Sequence, residues 1–127
     1  MFMTAMFPRE ACEFPDPETL IAPKIRFVAA HDEMCVCGIG AIVLYDDHAE
    51  VKAMFTASDA RGRGVADAVL RHLIALARME GRPCLRLETA PGLDVAHRLY
   101  ARHGFRRRGR FGPYPDDGSS LFFERST

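Results

Sequence analysis

The sequence predicts an α/β domain built on a central mixed, mostly antiparallel sheet flanked by helices. Three observations carry that reading. Apolar and β-branched residues run through three neighbouring segments between Ile25 and Thr56. From Ala66 the apolar period changes from that of a strand to that of a helix. A strand pattern, a helix pattern and another strand pattern then follow one another, which implies a parallel pair joined by a right-handed crossover. The chain has 127 residues and reads as one domain over 1–127, with a lead-in over 1–23 and a core over 24–125. Its hydrophobic share of 48% is enough to bury a real core.

The lead-in carries Pro8, Pro15, Pro17 and Pro23 among scattered apolar residues. Repeated proline forbids a long helix or a central strand, so an irregular or short-helical segment is expected there. Ile25 to Ala30 then reads as a strand and His31-Asp32-Glu33 as a turn. Met34 to Tyr45 follows as a long strand in which Gly38 and Gly40 suggest a bulge. A turn at Asp46-Asp47-His48, with His31 and His48 facing solvent, leads into a third strand, Ala49 to Thr56. The simplest arrangement of the three is an antiparallel meander.

Ala66, Leu70, Leu73 and Ala77 recur at helical spacing, opposite Asp67, Arg71 and Arg78. Asp67 and Arg71 form an i,i+4 pair worth about 0.3 kcal/mol. Gly81 and Pro83 stop this helix. Leu85, Leu87 and Thr89 alternate with Arg86 and Glu88 as a half-buried strand, and Leu93 to His103 reads as a second helix ended by Gly104. The tail offers Phe105 to Arg108 as a short strand, a loop from Gly112 to Gly118, and Leu121 to Glu124 as a last strand.

Charge and cysteine content exclude several classes of partner. Seventeen lysines and arginines offset seventeen aspartates and glutamates, so there is no long-range basic field to hold nucleic acid or an anionic membrane. Arg98, Arg102, Arg106, Arg107, Arg108 and Arg110 crowd one late stretch. That stretch either attracts phosphates locally or is a solvated helix end and turn. Cys12, Cys35, Cys37 and Cys84 lack the spacing of a zinc site and read as reduced thiols, so no metal is expected. No apolar run approaches the ~20 residues needed to cross a bilayer, and a soluble cytoplasmic protein is expected.

The chemistry concentrates where the third strand passes into the first helix, across Thr56 to Ala66. Gly62 and Gly64 let the backbone come close to a ligand, while the first amides of the helix and its dipole favour an anion. Arg61 and Arg63 can add charge-assisted hydrogen bonds, so phosphate is the natural guest. A nucleoside triphosphate site would need Gly-Lys-Ser/Thr and a dinucleotide fold would need Gly-x-Gly-x-x-Gly; neither pattern is present.

Met54-Phe55-Thr56, a short spacer and Arg61-x-x-Gly64-x-Ala66 before an amphipathic helix resemble the central cofactor motif of the GNAT family of N-acetyltransferases. Ala96-His97-Arg98-Leu99-Tyr100-Ala101-Arg102-His103-Gly104-Phe105 is similar to the family's Leu-Tyr helix and Gly-Phe strand. The resemblance covers roughly Ile25 to Glu124, and the ending from Phe111 to Asp117 resembles a branch of small bacterial members. It implies the family's mixed sheet with a shortened front strand-helix region, because only the proline-rich stretch precedes Ile25. A shortened sheet edge would favour a homodimer.

The implied activity is transfer of an acetyl group from acetyl-CoA to a primary amine of a small molecule or peptide, by direct attack in a ternary complex. The resemblance implies that Met54, Phe55 and Thr56 grip the pantetheine arm as a sheet edge and that Arg61, Gly62, Arg63, Gly64, Val65 and Ala66 wrap the pyrophosphate. It implies that Tyr100 protonates the departing thiolate; the alternative is a core tyrosine. Glu50 is the candidate general base. Strict alternation would set Glu50, Lys52 and Met54 on one face and Val51, Ala53 and Phe55 on the other. Two charges on a central strand then either open into a substrate cleft or neutralise each other. Tyr114, Asp116 and Asp117 either border the acceptor pocket or form an ordinary turn. Leu93 stands where many members carry asparagine, so that cofactor contact is not expected. A contrasting possibility is a catalytically silent CoA-binding or regulatory module.

Overall fold

The computed structural model describes residues 2–6 as backbone, and residues 24–31, 36–57 and 64–127 in full. Strands β1 (Phe2–Met6), β2 (Ile25–His31), β3 (Val36–Leu44) and β4 (Ala49–Thr56) come first. Helix α1 (Val65–Met79), β5 (Cys84–Thr89), helix α2 (Asp94–Arg102), β6 (Arg106–Arg108) and β7 (Leu121–Ser126) follow. The strands form one sheet in the order β1-β2-β3-β4-β5-β7-β6. Every neighbouring pair is antiparallel except β4 and β5, which are parallel across the α1 crossover. The mixed, mostly antiparallel sheet, the meander and the parallel pair thus stand as expected.

The front of the chain differs from expectation. Phe2 to Met6 is not irregular but an edge strand, paired antiparallel from Phe2↔His31 to Met6↔Phe27. The prolines that argue against a strand begin only at Pro8, beyond its last residue, and Phe-Met-Thr-Ala-Met itself contains no breaker. Residues 7–23 and 32–35, with Cys12 and Cys35, lie outside the described residues; Cys37 and Cys84 are free thiols.

Helix α1 lies on the sheet because its sequence repeats apolar residues on one side. Val65, Val69, Leu70, Leu73, Ile74 and Ala77 are buried, and each large one contributes roughly 1.5–3 kcal/mol by leaving water. Ala66 sits half-buried at the margin of that face. Contact is close because β3 carries Gly38 and Gly40 beneath the helix. A Cβ at Gly38 would stand 2.7 Å from Val65 Cγ1, and one at Gly40 would stand 2.6 Å from Val69 Cγ1 and 2.9 Å from Leu73 Cδ1. These glycines are therefore a docking groove for α1, not themselves bulges. The adjacent irregularity falls where the β2–β3 register steps from Ala30↔Gly38 to His31↔Val36, leaving Cys37 as the extra residue. Gly81, at φ 76°, ends the helix with bonds from its own N–H to Arg78 O and from Arg82 N–H to Ala77 O.

Helix α2 packs on the same face, with Leu99 buried and Tyr100 set against the α1 core. The two helices are tied through Asp67. Its carboxylate does not take Arg71 as partner; it lies 2.9 Å from His103 Nε2 and accepts from Arg102 Nη2 at 3.1 and 3.2 Å. The tertiary partners win because two donors at the α2 terminus converge on one carboxylate, whereas an i,i+4 contact offers only one. His103 holds the Asp67 carboxyl below the usual aspartate range; burial opposes the shift and Arg102 reinforces it. A depressed carboxyl stabilises the fold above its unfolded pKa and loses that contribution as pH falls through the lower folded value. Asp67→Asn should therefore flatten the decline of Tm as pH falls below about 4, the ordinary aspartate range. Circular dichroism melts across that range check this, and an unchanged acid limb would show that the bridge contributes nothing.

The late arginines mostly tie the sheet edge together. Arg108 Nη1 donates to Glu124 Oε1 at 2.8 Å, Arg86 Nε donates to the same oxygen at 2.6 Å, and Arg110 Nη1 reaches Gly112 O and Tyr114 O. Arg107 lies over Phe123, and Arg86 and Arg108 lie over Phe111. His48 turns inward, stacked on Tyr45 at 4.8 Å, and does not face solvent as the turn suggests. No helix among the described residues is long and apolar enough to cross a membrane.

Candidate active site

Two register facts create an opening in the middle of the sheet. First, β4 and β5 pair only through Ala49↔Leu85, Glu50↔Arg86 and Val51↔Leu87. Beyond that point β4 stays with β3 as far as Thr56, while β5 stays with β7 as far as Thr89. The two strands part and leave a wedge between them. Second, the β3–β4 ladder steps from Ala41↔Ala53 to Ile42↔Val51, so Lys52 is an extra residue on β4. A bulge bends its strand and increases the local twist. It falls at the residue where pairing with β5 stops, which accounts for the divergence.

The bulge also corrects the expected facing of β4. Val51 and Met54 both pack into the helix-covered core, whereas Ala53 joins Ile25, Phe27 and Ala41 on the opposite face. Glu50 and Met54 are thus on opposite faces and not on one, because the additional residue shifts the alternation by one position. Met54, Phe55 and Thr56 form the β4 margin of the wedge, and Phe55 is exposed.

At the wedge mouth Gly64 is the N-cap of α1, with φ 77° and no side-chain cap. A Cβ there would meet nothing within 4 Å, so the left-handed backbone angle, not space, is what requires glycine. The first intrahelical bond runs from Ala68 N–H to Gly64 O at 3.1 Å, which leaves the opening amides of Val65, Ala66 and Asp67 without intrahelical acceptors. Val65 anchors the turn by packing over Gly38. Arg61, Gly62 and Arg63 lie outside the described residues.

Glu50 is the one buried charged side chain among the described residues, at 2% exposure. Its Oε2 accepts a hydrogen bond from the Tyr114 hydroxyl and lies 3.3 Å from Lys52 Nζ. Lys52 Nζ in turn donates to the Tyr114 oxygen at 2.8 Å. Burial works against the Lys52 ammonium, but the bond to Tyr114 and the charge of Glu50 outweigh it and push its pKa up. Burial and the bond to Glu50 push the Tyr114 hydroxyl up, against Lys52, so Tyr114 stays a donor. Of the two expected outcomes for the Glu50–Lys52 pair, the structure shows the mutual pairing of the two charges.

Tyr100 is half-buried on α2 between Phe105 and Phe123, with ring centroids 6.0 and 5.9 Å away. Burial raises its hydroxyl pKa, which keeps it protonated. It lies on the helix-bearing face and Glu50 on the other, so the sheet brings the two to opposite sides and not into contact. Tyr114 is the residue that sequence reasoning undervalued. It lies 64 positions from Glu50, and nothing local to its turn signals that partner.

The profile of the Acetyltransferase (GNAT) family matches residues 2–105. The chain is 36% identical over 126 residues to the IAA acetyltransferase of Azospirillum brasilense, covering 98% of this chain and 82% of that protein. Among solved structures, a Klebsiella pneumoniae subsp. pneumoniae protein assigned as an acyl-CoA N-acyltransferase superposes with a TM-score of 0.86 at 28% identity, covering 98% of this chain and 96% of that one. The PaiA N-acetyltransferase of Thermoplasma acidophilum, solved with coenzyme A, shares the fold with a TM-score of 0.72 at 17% identity, covering 82% of this chain and 62% of that one. The chain belongs to the GNAT acetyltransferase family, and it is an acyl-CoA-dependent N-acyltransferase.

Proposed function

We propose that the chain, acting as one domain over its 127 residues, transfers an acetyl group from acetyl-CoA to a primary amine of a small molecule or peptide in a ternary complex. The observation that carries this reading is the wedge opened by the Lys52 bulge, with a buried carboxylate at its root. The residues present fit acetyl-CoA. The β4 margin at Met54, Phe55 and Thr56 has no strand beside it on the β5 side among the described residues, which suits the pantetheine amides. The uncapped start of α1 from Gly64 through Val65 and Ala66 suits a pyrophosphate, and the sequence motif assigns Arg61, Gly62 and Arg63 to the same group. Acetyl-CoA, when bound, supplies an acetyl group already activated as a thioester.

The chain's own groups then divide the proton work. Glu50 takes the proton of the attacking amine, and the amine nitrogen forms its bond to the acetyl carbon as the carbon–sulfur bond breaks. The Tyr100 hydroxyl gives its proton to the leaving sulfur, for which a hydroxyl kept protonated by burial is suited. Backbone N–H groups of β4 polarise the acetyl carbonyl.

Release of free thiol from acetyl-CoA across amino acids, polyamines, aminoglycosides and peptide N-termini tests the activity. Thermal stabilisation by CoA without turnover of any amine would instead identify a silent CoA-binding module. Tyr100→Phe should lower kcat by about 10–100-fold with CoA affinity retained. An unchanged kcat would leave Tyr100 as a core aromatic only.

A further inference from the structure

The Glu50 carboxylate is held asymmetrically. Both donors that reach it, the Tyr114 hydroxyl and the Lys52 ammonium, fall on Oε2. Oε1 has no hydrogen-bond partner among the described residues, yet no buried side-chain oxygen there lacks one. Oε1 is therefore not sealed from the surface and is the carboxylate oxygen left free to take a further partner.

The donor on the other side is fixed by the tail. The Tyr114 ring packs edge-on against Phe111 at 5.9 Å and tilted against Phe122 at 6.0 Å, and those two rings meet each other at 5.3 Å. Arg86 and Arg108 flank Phe111 and share Glu124 Oε1, while Arg110 donates to the carbonyl of Tyr114 itself. Gly112, at φ 65°, supplies the bend that turns the segment back onto the sheet. A loop residue anchored at the ring, the backbone and the hydroxyl is not free to wander. Fixed outer partners of this kind are what orient a reacting group.

We propose that Tyr114 is the positioning residue of the proton-removal step: together with Lys52 it pins Oε2 of Glu50 and so presents Oε1 to the acceptor amine. The inference rests on the reading of Glu50 as the base. A proton leaves the acceptor nitrogen for Oε1, while the Tyr114 hydroxyl keeps its own proton and its bond to Oε2. Lys52 gives the buried carboxylate its charge partner, without which the site would hold an isolated anion. The loop between β6 and β7 thereby becomes part of the active site and not a surface connection.

Tyr114→Phe removes the hydroxyl and keeps the ring packing, and Glu50→Gln removes the base. Both single variants and the double variant are to be compared with the parent by thiol release from acetyl-CoA, using the fastest amine of the panel. CoA affinity and urea unfolding serve as controls for an intact fold. Loss of a hydrogen bond to a charged group predicts that Tyr114→Phe lowers kcat/KM for the amine roughly 10–100-fold, with KM for acetyl-CoA unchanged. If Tyr114 works through Glu50, the double variant is no slower than Glu50→Gln alone. A double variant slowed by the product of the two single effects would overturn the positioning role, as would a Tyr114→Phe rate equal to the parent's beside a slow Glu50→Gln. A Glu50→Gln rate equal to the parent's would overturn the base assignment, and absence of turnover with every amine would overturn the activity itself.

Discussion

Glu50→Gln should lower kcat/KM for the acceptor amine by about 10²–10⁴-fold while leaving CoA binding unchanged. The substitution is close to isosteric and keeps an oxygen for the Tyr114 hydroxyl, but the amide has no useful affinity for a proton. It also sets a neutral group 3.3 Å from Lys52 Nζ, where a carboxylate now stands. The Lys52 ammonium is held up by the bond to Tyr114 and partly by the charge of Glu50, so its pKa should fall in the variant relative to the parent. Lys52 is one-third exposed, so water replaces much of what it loses and the stability change stays small beside the kinetic one. Steady-state kinetics with CoA titrations checks the result. A rate within twofold of the parent would mean that water or another group removes the amine's proton.

Gly40→Val should be the most damaging small change to stability, at about 3 kcal/mol. The first added carbon alone would come within 2.6 Å of Val69 Cγ1 and 2.9 Å of Leu73 Cδ1. Both belong to buried residues in the core cluster, and Val69 is β-branched with little rotamer freedom in a helix. Relief must come from lifting α1 off β3, which would also disturb the N-terminal turn at Gly64. Urea unfolding measures the loss. Gly40→Ala combined with Val69→Ala should cost less than the sum of the two single changes, because the second removes the atom the first strikes. Simple additivity would show that the helix–sheet approach is looser than these distances indicate.

Much of this architecture is readable before any coordinates. The meander and α1 follow from apolar periodicity, and β5 from the alternation of Leu85, Leu87 and Thr89 with Arg86 and Glu88, each of which reflects which side of an element meets the core. The glycine that opens α1 is readable as a special backbone position, and Gly64 does take a left-handed angle. What stays hidden is set by register and long-range contact. Glu50-Val51-Lys52-Ala53 looks like an unbroken alternating strand, and only the partner residues on β3 reveal that Lys52 is supernumerary. Gly38 and Gly40 attract attention, but their purpose depends on a helix that begins 25 or more residues later. The front strand is masked by the prolines just after it. Asp67 shows the same limit: its helical neighbour Arg71 is obvious in sequence, yet its partners come from the end of the other helix.

The additional residue in β4 gives the domain an unusual vulnerability. Excising Lys52 would leave Glu50, Val51, Ala53 and Met54 each pointing the way it points now, since the two halves of the strand would simply fall into phase. The straightened strand could then zip to β5 along its whole length, filling the central slot with main-chain bonds. Such a shortened chain would keep Met54, Phe55, Thr56 and the Gly64 turn and fold into a sound sheet, yet close the slot in which we propose that the thioester lies.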